Sequence, residues 1–578
     1  MRATRRQFLF ASAAGAGAVW LPGCAPGEAP PVPSPTCAAP NIGGPVPLPA
    51  PGSVGLIDEL AFQQRADAYL TVATQSLQPT SGASVATHLV RAQREPGFVW
   101  DPSAVTAALV SPDPYYDTAD FDLMNYQWIL RLGAGTLPAA TITAIEDAIA
   151  GFRYRYDDPL PAGDVDNKWF WSENHLIIGL VNEYLAGQRM PERTFPITGL
   201  TGAEHQKRAH PAILEWIEER ARFGFFEWHS HVYMKKNVTP LLTLVEFADD
   251  PELVRAAGMA LDLCVLDMAG ACHANTYAAS RGRTYAKDKL GEREGTFDTF
   301  KLLFDDTDED YAGGADSSAS YFAGSTRYRH PQVLVEMATG ADPGVVRERH
   351  GIFVDGSVPV TENPKAPFGY DFDDEANLSF WWSQGGVGLW QVTGISMAAA
   401  EEFRLFETEA LAQVKALVDV NGGDPDKVRA FVQENHAAVN FGHLREANTY
   451  GFRSDDVSLA TVVDHRFGQM RDQIQQELLA HAREEKWSEK KYPEWTDKFR
   501  PFGDIRVREY LDASPHEELA VYERAVTLLA DLHRLPPADL PPYDRAVYQR
   551  EVDLLTQWYC PAIGLTVDQD AYVAAWDA

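Results

Sequence analysis

Cysteine is scarce in this chain, with five among 578 residues. Cys264 and Cys272 lie eight residues apart, on or just beyond one predicted helix, so we do not expect them to pair. Five cysteines are too few for a disulfide scaffold, and a cysteine-based zinc site would need a second close pair, which is missing. Apart from Cys24, the cysteines are therefore expected to be core residues.

Basic residues are fewer than acidic ones. There are 50 Lys and Arg against 82 Asp and Glu, which leaves a formal net charge of -32. Because a phosphate backbone repels such a chain, the composition excludes a protein that binds nucleic acid through general electrostatics. The composition suits an exposed, soluble enzyme.

The N-terminus lacks an apolar run long enough to span a bilayer stably. Arg5 and Arg6 form a twin-arginine pattern, followed by weakly apolar Ala and Gly residues. The letters LPGC, ending at Cys24, resemble a lipobox, although Pro22 departs from the usual small residue. We predict a twin-arginine lipoprotein-type signal over residues 1–24, with lipidation of Cys24; a plain cleaved signal is the alternative. The mature protein is then expected in the periplasm or at the cell surface, in contact with a membrane only through its anchor.

Two further segments follow the signal. Residues 25–52 are dominated by Pro, Ala and Gly, which predicts a stiff, extended tether with nothing to bury. Residues 53–578 have ordinary apolar content and are predicted to form the catalytic domain.

Helix signals dominate this domain. Asp250 and Asp424 are each followed by a Pro and an acidic residue, which are typical of an N-cap and a first helical turn. Strand patterns are few and no fixed repeat is visible, so about 12–14 helices in antiparallel hairpins predict a mainly all-α fold, an α/α toroid. An irregular all-α bundle is the alternative. Other predicted helices lie near 57–77, 116–132, 139–155, 172–187, 211–222, 396–420, 466–485, 517–535 and 543–559.

The stretch WSENHLIIGLVNEYLAGQ places three reactive side chains at the start of an apolar helix. Ser172 is a natural N-cap, so Glu173, Asn174 and His175 fall in the first turn. Helix N-termini attract anions, which favours a ligand that bears a carboxylate. Capping alone explains Glu173, but it does not explain Asn174 with His175 beside Trp171.

A second stretch, FGFFEWHSHVYMKKNVTP, leads into another predicted helix. It contains Trp228, His229, His231 and Tyr233. A His-x-His pair can be half of a metal site, and His175 would add a third imidazole. No acidic partner motif accompanies the pair, so we predict hydrogen-bonding and acid–base groups, with no metal and no cofactor.

A third stretch, HANTYAASRGRTYAKDK, is basic within an acidic protein. A local positive pocket in a negative field suits an anionic substrate, with Tyr285 as a proton-transfer group; a merely solvated charge run is the alternative. Its basic residues are Arg281, Arg283, Lys287 and Lys289. Farther on, Trp381 and Trp382 stand beside three glycines, which suits a wall on which sugars stack, or else an aromatic core.

An Asn–His pair at a helix start, with Arg and Tyr from a later loop, resembles the α/α-toroid polysaccharide lyases of the alginate and heparin type. The resemblance implies that Asn174 and an arginine, Arg281 or Arg283, neutralise a uronate carboxylate, that His175 assists, and that Tyr285 moves the proton. Tyr233 and His229 are alternative proton carriers. The WSENH line also resembles secreted bacterial proteins without an assigned function.

Two other functions stay open. A glycoside hydrolase on the same toroid needs two carboxylates, for which Glu173 and Asp288 are the best pair, with Glu227 and Asp166 behind them. A non-catalytic surface lipoprotein would bind an anionic or neutral glycan through its tryptophans alone.

Overall fold

The computed structural model describes residues 55–101, 105, 114–283, 295–314, 317–340, 344–352, 354, 370–435, 446–454 and 458–463. The signal, the tether, and the helices predicted at 466–485, 517–535 and 543–559 lie outside the described residues. The same holds for Tyr285, Lys287, Asp288 and Lys289.

The described part of the chain is mainly helical, which confirms the predicted fold class. The helices are α1 Glu59–Ser76, α2 Gly82–Arg94, α3 Ala119–Leu132, α4 Ala139–Ala150, α5 Glu173–Arg189, α6 Gly202–Phe223, α7 Met234–Phe247, α8 Pro251–Gly270, α9 Phe297–Leu303, α10 Ser317–Gly324, α11 Gln332–Thr339, α12 Leu378–Ser383, α13 Thr393–Glu402, α14 Ala412–Val420 and α15 Pro425–Glu434.

Local capping rules placed several helix starts correctly. The carboxylate of Asp250 accepts hydrogen bonds from the second and third residues of α8, and Asp424 accepts one from the second residue of α15. Both helices have Pro as their first residue. Asp58 caps α1 by two such bonds. The single helix predicted over 396–420 is in fact α13 and α14, because the chain turns between them, with Arg404 at a φ of 59°.

Five helices contact one another in a closed order: α2 packs on α3, α3 on α5, α5 on α7, α7 on α10, and α10 returns to α2. Other helices pack against these from further out, α1 on α2, α4 on α3 and α5, α6 on α5, and α8 on α7. Inner helices are buried around most of their circumference, α5 especially, whereas α6 keeps one exposed face. This order is what nested helical hairpins produce, although the toroid itself stays a prediction.

Strands occur in two small sheets that the sequence did not predict. Strands β1 (Cys272–His273) and β2 (Thr276–Tyr277) form a hairpin after α8. Strands β3 (Gly344–His350), β4 (Ala447–Arg453) and β5 (Ser458–Val463) form an antiparallel sheet in the order β3-β4-β5. Burial alternates along β3 because its side chains point to opposite faces of the sheet.

Apolar side chains gather in two clusters. The larger is built on α1–α11. The smaller contains the tryptophans of residues 169–171 together with α12, α13 and their neighbours. The start of α5 therefore lies where the two clusters meet.

Candidate active site

The first turns of α3, α5 and α7 meet at one end of the ring, which is the closed order of five helices described above. His175, in the first turn of α5, places Nδ1 2.8 Å from Oδ2 of Asp120, in the first turn of α3. Glu173, also in α5, accepts a hydrogen bond of 3.2 Å from Nδ2 of Asn237, in the first turn of α7. Since helix N-termini carry partial positive charge, this end of the ring favours anions.

Glu173 is fully buried and accepts four hydrogen bonds. Its Oε2 accepts from Nη1 of Arg220 at 3.1 Å and from the backbone of Phe226 at 2.8 Å. Its Oε1 accepts from the backbone of Glu227 at 2.9 Å and from Asn237. A carboxylate with every acceptor position occupied has no lone pair left for a substrate. The expectation that Glu173 is catalytic is therefore corrected: this residue anchors the turn 224–233 to α5 and α6.

Asn174, Glu227 and Arg283 form a buried chain of polar contacts. The Asn174 amide donates to Oε2 of Glu227, and Nη1 of Arg283 donates to Oε1 of the same carboxylate at 2.9 Å. The guanidinium of Arg283 also lies over the ring of Tyr233, 4.3 Å from its centre. Asn174 and Arg283, which were predicted to bind a substrate carboxylate, both bind the carboxylate of Glu227 here, and the Tyr233 ring lies against Arg283.

His175 and Asp120 form an imidazole–carboxylate pair that is almost completely buried. The imidazole stacks on the ring of Phe121, with 4.7 Å between ring centres, and the ammonium of Lys236 lies 4.1 Å from the centre of that ring. Oδ1 of Asp120 is buried and has no hydrogen bond with any residue that the structure describes. Burial raises the pKa of the neighbouring Asp122, and the charge of Lys236 opposes this rise. A carboxylate on Nδ1 fixes the imidazole tautomer and makes Nε2 the atom that exchanges a proton.

The turn 224–233 carries the second predicted stretch. Tyr233 stands at the N-cap position of α7, and His231 is buried nearby. His229 has a φ of 48°, unusual for a residue with a side chain, and it lies with Asp267 and His350 in a separate cluster. Among the described residues, His175, His229 and His231 do not form a common group of metal ligands.

The tryptophans predicted to stack on sugars are core residues, so that expectation is corrected. Trp381 is 0% and Trp382 1% exposed, and their indole N–H groups donate to the Asp371 carbonyl and the Ser396 hydroxyl. Trp171 packs against Trp382 at 5.2 Å in an edge-to-face arrangement. Trp228 is also buried. None of these four rings has a face open to a ligand in the described structure.

The basic stretch is described only as far as Arg283. Arg281 donates to the backbone carbonyl of Tyr277, so it supports the hairpin of β1 and β2. Arg283 belongs to the polar chain with Glu227. Asp166, a reserve carboxylate for a hydrolase, is buried between Arg153 at 2.8 Å and Lys168 at 2.7 Å and is neutralised there.

Sequence reasoning missed Asp120 and Lys236. Asp120 lies 55 residues before its partner His175, so no local pattern joins them. The acidic first turn of α3, with Asp120 and Asp122, was visible but reads equally well as ordinary helix capping. Lys236 stands three residues after Tyr233, and in the sequence it cannot be distinguished from an ordinary solvated lysine.

Comparison with known proteins gives one partial similarity. A family model described as "Putative porin" matches residues 412–531, about a fifth of the chain, and does not reach the site. No curated protein and no solved structure matches the chain. Within the described ranges, every helix is too short or too polar to cross a membrane.

Proposed function

We propose that this protein is an exported polysaccharide lyase that cleaves a uronate-containing glycan by β-elimination, with Asn174, His175, Tyr233 and Arg283 as its catalytic groups. One observation carries the proposal: an amide and a guanidinium share the Glu227 carboxylate next to the Tyr233 ring, and the residue after that amide, His175, carries an imidazole paired with Asp120. Tyr233 takes the role that the resemblance implied for Tyr285.

The first chemical task is to acidify the proton next to the uronate carboxylate. That proton is very weakly acidic because its removal adds charge beside an anion. Donors placed on the carboxylate stabilise the developing enolate, which is usually the largest catalytic contribution. Asn174 and Arg283 already share the carboxylate of Glu227, which supports this assignment. The substrate carboxylate competes with Glu227 for the same two donors.

The second task is to take the proton and return one to the leaving oxygen. Asp120 holds Nδ1 of His175, so Nε2 is the nitrogen that accepts and returns a proton. The phenol of Tyr233 lies beside Arg283 and supplies the second proton-transfer group. A pair of such groups allows one to act as base and the other as acid.

A glycoside hydrolase is the second candidate, and Glu227 is the observation that favours it. Glu227 is 1% exposed and lies at the centre of the polar chain, whereas Glu173 is saturated by its donors. Hydrolysis would need Glu227 as an acid, base or nucleophile. The two candidates therefore differ in what Glu227 does.

A panel of acidic and neutral polysaccharides tests the proposal, with ultraviolet absorbance and new reducing ends followed together. Elimination creates a double bond conjugated to the carboxylate, which absorbs, whereas hydrolysis does not. We expect absorbance on a uronate polymer, lowered by about 10²–10⁴-fold in Tyr233→Phe. Reducing ends without absorbance, or no signal on any polymer, would contradict the proposal.

Glu227→Gln separates the two chemistries most sharply, because it keeps the shape of the side chain and removes its charge. A lyase variant should retain turnover and bind an anionic substrate more tightly, since the competing charge is gone. A hydrolase variant should lose turnover. Glu183→Gln is the matched control, because Glu183 is equally buried but its carboxylate is held by His205, Arg155 and Arg208 and belongs to no part of the polar chain.

We also propose that the protein leaves the cytoplasm by the twin-arginine route and is anchored through Cys24. The partial match of residues 412–531 to a porin model is in keeping with a surface location. Replacing Arg5 and Arg6 by Lys should retain the protein in the cytoplasm. Cys24→Ala should release it from the membrane fraction, and a variant that stays bound would contradict the anchor.

A further inference from the structure

A second cluster of buried histidine and carboxylate side chains shares the turn 224–233 with the candidate active site. It joins three separate elements: His229 comes from the turn 224–233, Asp267 from the last turns of α8, and His350 from the end of β3. Each of the three offers one ligand atom within 4.8 Å of those of the other two. Oε2 of Glu348, also on β3, lies 2.8 Å from Nε2 of His229 and 4.0 Å from Nε2 of His350.

Five polar atoms of His229, His350 and Asp267 are buried without hydrogen bonds within the described residues. Both ring nitrogens of His229, both of His350, and Oδ2 of Asp267 have no hydrogen-bond partner among the residues that the structure describes. The Nε2 of His229 is close to Glu348 but is not aligned for a hydrogen bond. Both imidazoles are 3% exposed. Burying so many polar atoms without partners is costly, and native proteins avoid it unless something else binds them.

We propose that His229, Asp267, His350 and Glu348 bind one divalent first-row metal ion, with Zn²⁺ as the preferred occupant. Two imidazoles and two carboxylates are the donor set that Zn²⁺ accepts in a four-coordinate site. Ligands of a tetrahedral zinc lie about 3.3–3.5 Å apart. The atoms of His229 and Glu348, now 2.8 Å apart, therefore have to separate slightly around the ion, and those of His350 and Glu348, now 4.0 Å apart, have to approach. The sequence predicted no metal because it paired His229 with His231 and His175, and the real partners lie 38 and 121 residues further along the chain.

A small cavity adjoins the cluster. It has a volume of about 40 Å³ and is bounded by His229 and Glu348 together with residues of α8 and β4. That space admits at least one water molecule beside the ion. Thr449 donates to Oε2 of Glu348 at 3.3 Å and so orients the carboxylate, as outer partners of metal ligands commonly do.

The role that the ion would play follows from where its ligands lie. The turn 224–233 also carries Glu227 and Tyr233, so a metal on His229 ties the active-site turn to α8 and to the sheet. The turn 224–233 and the end of β3 are already closely packed, because a Cβ on Gly224 would lie 2.7 Å from Nδ1 of His350. The metal is thus a positioning element for the proposed active site, and it does not touch substrate.

Metal analysis of the full chain tests this inference, with the protein purified through a tag that contains no histidine. We expect about one zinc ion per chain, and a stripped sample should melt roughly 10 °C lower and recover on addition of Zn²⁺ alone. Cobalt substitution should give the absorption bands of a tetrahedral site. Less than a tenth of an ion per chain, with no shift in melting on addition of Zn²⁺, Mn²⁺ or Fe²⁺, would overturn the site.

Variants then locate the ion. His350→Gln and Asp267→Asn should each lose the bound metal, and the wild-type titration stands on its own if one of them does not fold. The matched control is His210→Gln, because His210, Asp250 and Glu252 form an exposed His–carboxylate group of similar spacing. If metal is lost from the control and retained in the other two, the ion is a surface contaminant and the proposal is wrong. Because metal content is measured without substrate, the result does not depend on the lyase proposal.

Discussion

Two of the buried imidazole–carboxylate pairs in the described part of the chain involve α5, one near its start and one towards its other end. Near the start of α5, Nδ1 of His175 lies 2.8 Å from Asp120; near its end, Nδ1 of His205 lies 2.9 Å from Glu183. Both imidazoles stack on a phenylalanine, with 4.7 Å and 4.5 Å between ring centres. By local geometry alone the two pairs are nearly equivalent.

Their surroundings differ. Glu183 also receives Nε of Arg155 at 2.8 Å and of Arg208 at 2.6 Å, and Nε2 of His205 lies 2.7 Å from the hydroxyl of Thr198. Burial by itself raises the pKa of Glu183, but the hydrogen bond from His205 and the two guanidinium charges outweigh it and hold the pKa below its ordinary value. Every polar atom of this pair is occupied.

The pair at the start of α5 is incomplete by comparison. Oδ1 of Asp120 has no hydrogen bond within the described residues, and no arginine is shown to pair with this carboxylate there. Asn174 precedes His175 in the first turn of α5, and Tyr233 stands at the N-cap position of α7. An imidazole–carboxylate pair stabilises the fold when all of its hydrogen-bonding atoms have partners. When one of these atoms has no partner, the pair becomes a candidate for proton transfer.

The largest effect on stability is expected from Glu173→Gln. This variant changes a carboxylate whose acceptor positions are all occupied, two residues before His175 of the incomplete pair. Its amide nitrogen would face donors from Arg220 and from the backbone, so the buried guanidinium keeps only Glu219 as a carboxylate partner. We expect a loss of about 3–5 kcal/mol in the free energy of unfolding, measured by urea denaturation. A loss below 1 kcal/mol, with turnover abolished, would return Glu173 to the catalytic residues.

A smaller effect is expected when the two pairs are changed in parallel. Glu183→Gln should cost about 2–3 kcal/mol, because Arg155 and Arg208 are only partly buried and water screens their loss. Asp120→Asn should cost about 1 kcal/mol or less and act mainly on turnover. If the two variants lose the same free energy of unfolding in denaturant, the distinction between the pairs is wrong.

The smallest effect is expected on the decline of stability at acidic pH. The pKa of Glu183 is lower in the folded protein than its ordinary value of 4.5, so its contribution to stability is complete above about pH 4.5 and is lost as the pH falls through the folded value. Glu183→Gln should therefore flatten the decline of melting temperature below that pH. The wild-type chain in the same buffers is the reference, and an unchanged slope in the variant contradicts the assignment.

Local signals predicted the helix starts but could not predict partners. Asp250, Asp424 and the Asn174–His175 pair were recognisable because capping and first-turn chemistry depend on neighbours in sequence. The partner Asp120, the sheet that pairs residues 344–350 with 447–453, and the ligands gathered around His229 all depend on contacts between distant segments. The tryptophans were misjudged because composition does not show which face of a ring is covered.

The central claim is that His175, and not His205, carries the chemistry. Its most direct test measures turnover on an accepted uronate polymer for His175→Gln and His205→Gln, with each variant shown to be folded by its melting curve. We expect turnover to fall by about 10²–10⁴-fold in His175→Gln. In His205→Gln we expect a lower melting temperature, with turnover near that of the wild type. Similar turnover in the two variants, or the larger loss in His205→Gln, would contradict it.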